Sequence, residues 1–137
     1  MDESRLIEQL IDHEGEKLLP YRDTVGKLTI GVGRNLTDVG ISREESRYLL
    51  ANDIKKVVAQ LDAKLPWWDS MTEVRQRVLV DMCFNLGITG LLGFNNALAA
   101  MKMRDYEEAS YGMANSHWAS QVGKRAETLS AMMRRGI

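Results

Sequence analysis

Three side chains near the N-terminus, Glu14, Asp23 and Thr29, are of the types that break a glycosidic bond. Eight residues separate the first two and five separate the last two. That chemistry uses two carboxyl groups on opposite sides of the scissile bond, one protonating the leaving oxygen and the other activating water or attacking directly. A hydroxyl beside them can hold the attacking water, since it both donates and accepts hydrogen bonds. Each residue also has a plainer reading: Glu14 as a solvated acid at a helix end, Asp23 as the start of a turn, Thr29 as an ordinary strand residue. Spacing alone does not choose between these readings.

The flanking sequence says which elements carry them. Leu6, Ile7, Leu10 and Ile11 recur at helical spacing, with Ser4 as an expected cap and Gly15 as a stop, so Glu14 falls at the end of a first helix. From Pro20 to Gly33 two short extended runs flank a turn near Gly26, and Gly31 and Gly33 predict sharp bends or close backbone approach. Ser42 and Glu45 form a capping-box pattern. Behind it Leu49, Leu50, Ile54, Val57, Val58, Leu61 and Leu65 repeat at three and four until Pro66. A helix of about 22 residues would run roughly 33 Å, long enough to act as a spine between two lobes.

The remainder reads as helix. Thr72 caps a segment with an apolar face of Val74, Val78, Leu79, Met82, Cys83 and Leu86 that stops at Gly87. A short helix is expected after Phe94, another opens at Asp105, and a last one runs from about Gly123 to Arg135 with Gly136 as terminator. The fold class is therefore α+β: a single domain over 1–137 with a hairpin lobe at about 14–48, a connecting helix, and a larger helical lobe of about 65–137 plus the first helix.

Composition excludes several function classes. The 137 residues are 45% hydrophobic and 27% charged, which rules against disorder. A net charge of −1 gives no basic excess for nucleic acid, although Lys124-Arg125 and Arg134-Arg135 are local basic clusters. Cys83 is the sole cysteine, so the fold stands on packing without an internal disulfide. Its place on an apolar stripe predicts an inert buried thiol. The first residues are acidic where a signal peptide is basic, and no stretch approaches a membrane span, so neither a signal peptide nor stable membrane association is expected. His13 and His117 lack a metal-ligand spacing, and no nucleophile elbow or phosphate loop occurs, so no metal or cofactor is expected. Trp67-Trp68 reads as the closure of a core beneath a helix junction. The methionines read as core filler or a loose packing surface.

Taken as a block, Glu14-Gly15, Tyr21–Gly26 and Leu28–Gly33 closely resemble the phage-type lysozymes, glycoside hydrolase family 24: Glu, eight residues, Asp, five residues, Thr, then a Gly-x-Gly bend. Phe84–Phe94 is similar to that family's cleft helix and following turn, and Ser116-His117-Trp118, Gln121 and Lys124-Arg125-Ala126 to its late pattern. The resemblance keeps its order from about residue 5 to residue 136.

It implies a muramidase hydrolysing the β-1,4 bond between N-acetylmuramic acid and N-acetylglucosamine in peptidoglycan, with inversion, and so a bacteriolytic endolysin. Glu14 would be the general acid, Asp23 the base or electrostatic partner, and Thr29 the holder of the water. Asn35, Phe84 and Asn85 fall at positions lining the saccharide cleft; their plainer readings are a turn residue, a core aromatic and a helix-end polar residue. Arg125 matches an arginine that pairs with the catalytic glutamate. A cation favours the ionised acid while an acid catalyst must hold its proton, so orientation is the better account of that pairing.

The resemblance further implies a monomer held in the host cytoplasm until a holin opens the inner membrane, then acting in the periplasm. Two other readings stay open: a lytic transglycosylase on the same bond, and a non-catalytic wall-binding module of this fold. The sequence also departs from the pattern. Arg34 stands where the best-known members carry a histidine, Ala97 and Gly112 stand at two cleft positions that are polar in the best-known member, and the C-terminus comes earlier than usual.

Overall fold

The first helix, α1 (Glu3–Glu14), begins two residues earlier than Ser4 would place it. Asp2 is the cap, its carboxylate accepting the Arg5 N–H at 3.1 Å, and Ser4 lies inside the first turn. Asp reaches the third helical N–H as well as Ser does, and it also sets negative charge at the positive end of the helix. The structure, a computed structural model, describes all residues from 1 to 137. No helix in it is long and apolar enough to cross a membrane by itself. The chain forms two compact units, Met1–Leu49 and Leu50–Ile137. Helix α1 falls in the first of these, with the sheet, rather than with the helical lobe.

In the first unit α1 buries no residue: Leu6 and Ile11 are half-buried, while Ile7 and Leu10 are exposed. Three antiparallel strands follow, β1 (Lys17–Arg22), β2 (Leu28–Gly31) and β3 (Arg34–Asn35), in the order β1-β2-β3. The expected hairpin is the first pair, and the third strand was not foreseen; at two residues it carries no alternation to read. Tyr21 pairs with Thr29 and Thr29 with Asn35, whereas Ile30 pairs with Arg34. Directly opposed residues share a face and neighbours alternate. One face therefore carries Tyr21, Thr29 and Asn35, and the other carries Ile30 and Arg34.

Helix α2 (Arg43–Lys64) starts with the expected reciprocal box. The Ser42 N–H donates to Glu45 Oε1 at 2.8 Å, and the Glu45 N–H donates to Ser42 Oγ at 3.1 Å. Its apolar stripe is buried only toward its end. Val57, Leu61 and Leu65 are buried, but Leu49, Leu50 and Ile54 are exposed. A single-turn 3-10 helix at Pro66–Ser70 follows.

The second unit holds the core. Helix α3 (Glu73–Leu92), capped by Thr72, breaks at Gly87, where φ is 75° and ψ 164°, and resumes at once. It is followed by α4 (Asn95–Lys102), α5 (Tyr106–Ala114), α6 (His117–Val122) and α7 (Lys124–Arg135), the last ended by Gly136 in the left-handed conformation. Leu61, Val78, Leu79, Met82, Leu91, Met101, Met113 and Met133 are almost fully buried. With the buried Met71, five of the eight methionines fill this core. Trp68 is buried with its indole N–H donating to Asp62 at 2.7 Å, and the half-buried Trp67 packs against the core cluster, a core role for both. Cys83 is buried, and burial pushes its thiol up from its ordinary value.

Candidate active site

Glu14 is the last residue of α1. Gly15, at φ 75°, ends the helix with its N–H donating to the Ile11 carbonyl at 2.7 Å, and the chain turns directly into β1. The Glu14 carboxylate lies against Gly33. A methyl group built on that glycine would stand 2.8 Å from Glu14 Oε2, and Gly33 itself has φ 67°. Only glycine satisfies both demands, a left-handed backbone and room for the carboxylate. Glu14 is exposed and has no hydrogen bond or ion pair.

Asp23 opens the β1–β2 turn. Its Oδ1 accepts the N–H groups of Val25 at 3.0 Å and Lys27 at 2.8 Å, and the Asp23 N–H donates to the Lys27 carbonyl at 2.9 Å. The turn-residue reading is therefore correct as far as it goes, but it uses one carboxylate oxygen; Oδ2 has no partner. Thr29 is the one buried residue of the first unit, 4% exposed at the centre of the sheet. Its hydroxyl donates to the Lys27 carbonyl at 2.9 Å, which commits the proton and leaves lone pairs to accept. Lys27 thus joins the two residues: its N–H is held by Asp23 and its carbonyl by Thr29.

Asn35 shares the Thr29 face, but its carboxamide is engaged in the next turn. Nδ2 donates to Asp38 Oδ2 at 3.0 Å and Oδ1 accepts the Asp38 N–H at 2.9 Å. On the opposite face Arg34 Nη1 donates to Glu45 Oε1 at 2.7 Å and to the Gly40 carbonyl at 3.2 Å. That guanidinium is the main reason the Glu45 carboxyl is held at about 2, with the Ser42 N–H adding to the effect. The sequence marked Arg34 only as a departure from a pattern. The signal that it is an anchor was the acid at the fourth position of the capping box, whose second partner sequence spacing did not name.

The second unit carries the other expected residues. Phe84 is exposed on α3, so it is not a core aromatic. Asn85 Oδ1 accepts the indole N–H of the buried Trp118 at 2.8 Å, leaving its amide N–H groups unbonded. Trp118 in turn meets Phe94 edge-on, with ring centroids 5.8 Å apart. A pocket of about 520 Å³ opens here, with Phe94, Ala97, Gly112 and Trp118 in its lining. Ala97 and Gly112 are small because α4 and α5 approach closely: a methyl on Gly112 would be 3.3 Å from the Ala97 Cβ. Arg125 pairs with Asp81, at 2.6 Å from Nη2 and 2.9 Å from Nε to Oδ1, and its Nη2 also donates to the Asp81 carbonyl. The resemblance assigned it to the glutamate; the carboxylate that meets its fork in the structure is this α3 acid, which sequence spacing did not indicate.

Comparison with known proteins identifies the family. The family model for phage lysozyme matches residues 11–136. A probable T4-type lysozyme 1 of Dictyostelium discoideum is 23% identical, covering 90% of this chain and 89% of the relative. The SAR-endolysin of Escherichia phage Mu is 30% identical over 86% of this chain and 68% of its own. The pre-baseplate central spike protein Gp5 of Enterobacteria phage T4 is 26% identical over 96% of this chain but only 28% of the spike protein.

Proposed function

The chain belongs to the phage lysozyme family and is a glycosidase acting on peptidoglycan, and from that premise we propose that it hydrolyses the β-1,4 bond between N-acetylmuramic acid and N-acetylglucosamine through Glu14, Asp23 and Thr29. Glu14 donates its proton to the glycosidic oxygen as the bond to the anomeric carbon breaks. A water gives one hydrogen bond to Thr29 Oγ1 and one to Asp23 Oδ2, which turns its lone pair toward the anomeric carbon. The carbon–oxygen bond forms, the water's proton passes to Asp23, and solvent exchange restores both carboxyl groups. Attack by water on the face opposite the leaving group gives inversion.

The observation that carries this reading is the division of labour around Lys27. One Asp23 oxygen and the Thr29 proton are spent on the turn, which leaves the other oxygen and the hydroxyl lone pairs free to accept from a water. Both alternatives lack a use for that arrangement. A transglycosylase needs no bound nucleophilic water, and a wall-binding module needs no acid. Phe84 offers a ring face to sugar and Asn85 its free amide hydrogens, with Asn35 contributing its second Nδ2 hydrogen. In the infected cell the protein acts as a monomeric endolysin that reaches the wall after a holin opens the inner membrane.

The test is reducing-sugar release from purified peptidoglycan by wild type and by Glu14→Gln, with mass spectrometry of the products. Glu14→Gln is expected to keep the helical circular dichroism and lose release by at least about a hundredfold, the scale of a removed general acid. Products should carry hydrolysed ends. Equal release by the variant, or anhydro ends from wild type, overturns the assignment.

A further inference from the structure

The first unit has little apolar packing to hold its sheet to α2. A groove of about 730 Å³ opens between Ile30 and Val32 of the β2 segment and Tyr48 and Leu49 of α2, and Val32, Tyr48 and Leu49 are exposed within it. What crosses it is polar. Arg34 Nη1 reaches Glu45 Oε1 at 2.7 Å, and the same Oε1 accepts the Ser42 N–H at 2.8 Å. The guanidinium also donates to the Gly40 carbonyl, tying the loop that leads into α2. Arg34 follows Gly33 directly, and Gly33 is the floor under the Glu14 carboxylate. The charge-assisted bond between Arg34 and the first turn of α2 therefore fixes the segment on which the acid rests.

We propose that Arg34 is a positioning residue for the acid: clamped to α2 by Glu45, it holds Gly33 where the Glu14 carboxylate can lie across it. This rests on the assignment of Glu14 as the acid. The clamp acts on the carboxylate's position and not on saccharide affinity, because Arg34 shares its face with Ile30, opposite Thr29 and Asn35. Glu45 titrates at about 2, so both members stay charged through the neutral range in which a wall enzyme works.

The experiment measures kcat and KM for release from purified peptidoglycan, at a temperature where circular dichroism shows each variant fully folded. Arg34→Met is expected to lower kcat about tenfold and shift KM less than twofold, as a sub-ångström displacement of a reacting group does. Arg34→Lys, which keeps a charge within reach of Glu45, should recover most of the loss. Glu45→Gln keeps an acceptor for the Ser42 N–H while losing the charge, so it folds and shows the same split to a smaller degree. In ¹³C-glutamate spectra, the Glu14 carboxyl signal (identified by its loss in Glu14→Gln) should move in Arg34→Met.

Arg34→Met with wild-type kcat, or a loss confined to KM, overturns the positioning role. Glu14→Gln is measured beside it. If that variant is dead while Arg34→Met is fully active, the acid stands and the clamp fails. If Glu14→Gln is fully active, the acid assignment falls and takes the clamp with it.

Discussion

Replacing Gly33 by alanine separates two things that glycine does at one position. Its φ of 67° is a backbone state that an L-residue adopts at a cost of about 1–2 kcal/mol. Its missing side chain admits Glu14, whose Oε2 would stand 2.8 Å from the new Cβ. To regain van der Waals distance the carboxylate must move by at least about half an ångström. A misplacement of about 1 Å at a reacting group costs about a hundredfold, so half that distance predicts about a tenfold loss of kcat. Gly31 supplies the control. It has the same φ of 67°, but nothing lies within 4 Å of the position its Cβ would take. Gly31→Ala and Gly33→Ala should therefore lose similar stability, a fall in Tm of about 3–8 °C by calorimetry for a chain of this size. Only Gly33→Ala should lose turnover in the reducing-sugar assay at a temperature where both are folded. Equal kcat for the two variants would refute the claim that the Gly33 surface sets the position of the acid.

Two further outcomes follow from polar groups elsewhere. The Glu45 carboxyl is lowered from its ordinary 4.5 to about 2, chiefly by the Arg34 hydrogen bond, so its stabilising contribution is complete above about 4.5 and disappears as pH falls toward 2. Thermal melts should show wild type more stable than Glu45→Gln at pH 7, with the gap closing between pH 4.5 and 2; parallel curves would contradict it. In the α5–α7 contact, Ser110 Oγ donates to the Ser130 carbonyl at 2.8 Å, while the Ser130 hydroxyl is buried with no partner. Removing that hydroxyl relieves a penalty of about 1–3 kcal/mol and improves helix propensity, so Ser130→Ala should raise Tm and Ser110→Ala lower it. A lower Tm for Ser130→Ala would refute this account.

What the sequence made legible was local. The capping box at Ser42, the cap at Thr72, the break at Gly87 and the terminator at Gly136 are each decided by one backbone conformation or one hydrogen bond within four residues, and all four are present. Ser4 and Asp2 are both chemically suitable caps, and a two-residue shift lies below what local pattern resolves. The site divided along the same line. Glu14 at a helix end, Asp23 in a turn and Thr29 on a strand follow from neighbours in sequence. The Arg125–Asp81 pair, the Trp118–Asn85 bond and the Arg34–Glu45 clamp join residues 44, 33 and 11 positions apart, and no periodicity encodes them. The same holds for Arg75, which closes the last turn of α7 by donating to the Met133 and Arg134 carbonyls while stacking over Tyr106. Apolar periodicity identified α1 as a helix but not the exposure of Ile7 and Leu10, because amphipathicity specifies a face and not its partner.

The β sheet gives neighbouring residues opposite tasks. Thr29 and Asn35 belong to the face that would meet saccharide, while Ile30 and Arg34, one position away on each strand, belong to the face toward α2. A slip of one residue would exchange them, turning Ile30 to the site and pulling Arg34 off Glu45. In most sheets a buried face guards against this, but the first unit buries a single residue. Hydrogen bonds fix the register instead. Asp23 Oδ1 holds the turn that begins β2, and the Leu28 N–H donates to Thr37 Oγ1 at 2.8 Å while the Leu36 N–H returns to the Leu28 carbonyl at 2.7 Å. Asp23 is thus the structural stop that sets Thr29 in place and, in the proposed mechanism, also the carboxylate that Thr29 assists. The turn uses one of its two oxygens, and asparagine or serine would satisfy the backbone equally well, so the proposed mechanism gives the second oxygen, and hence the acid, its use.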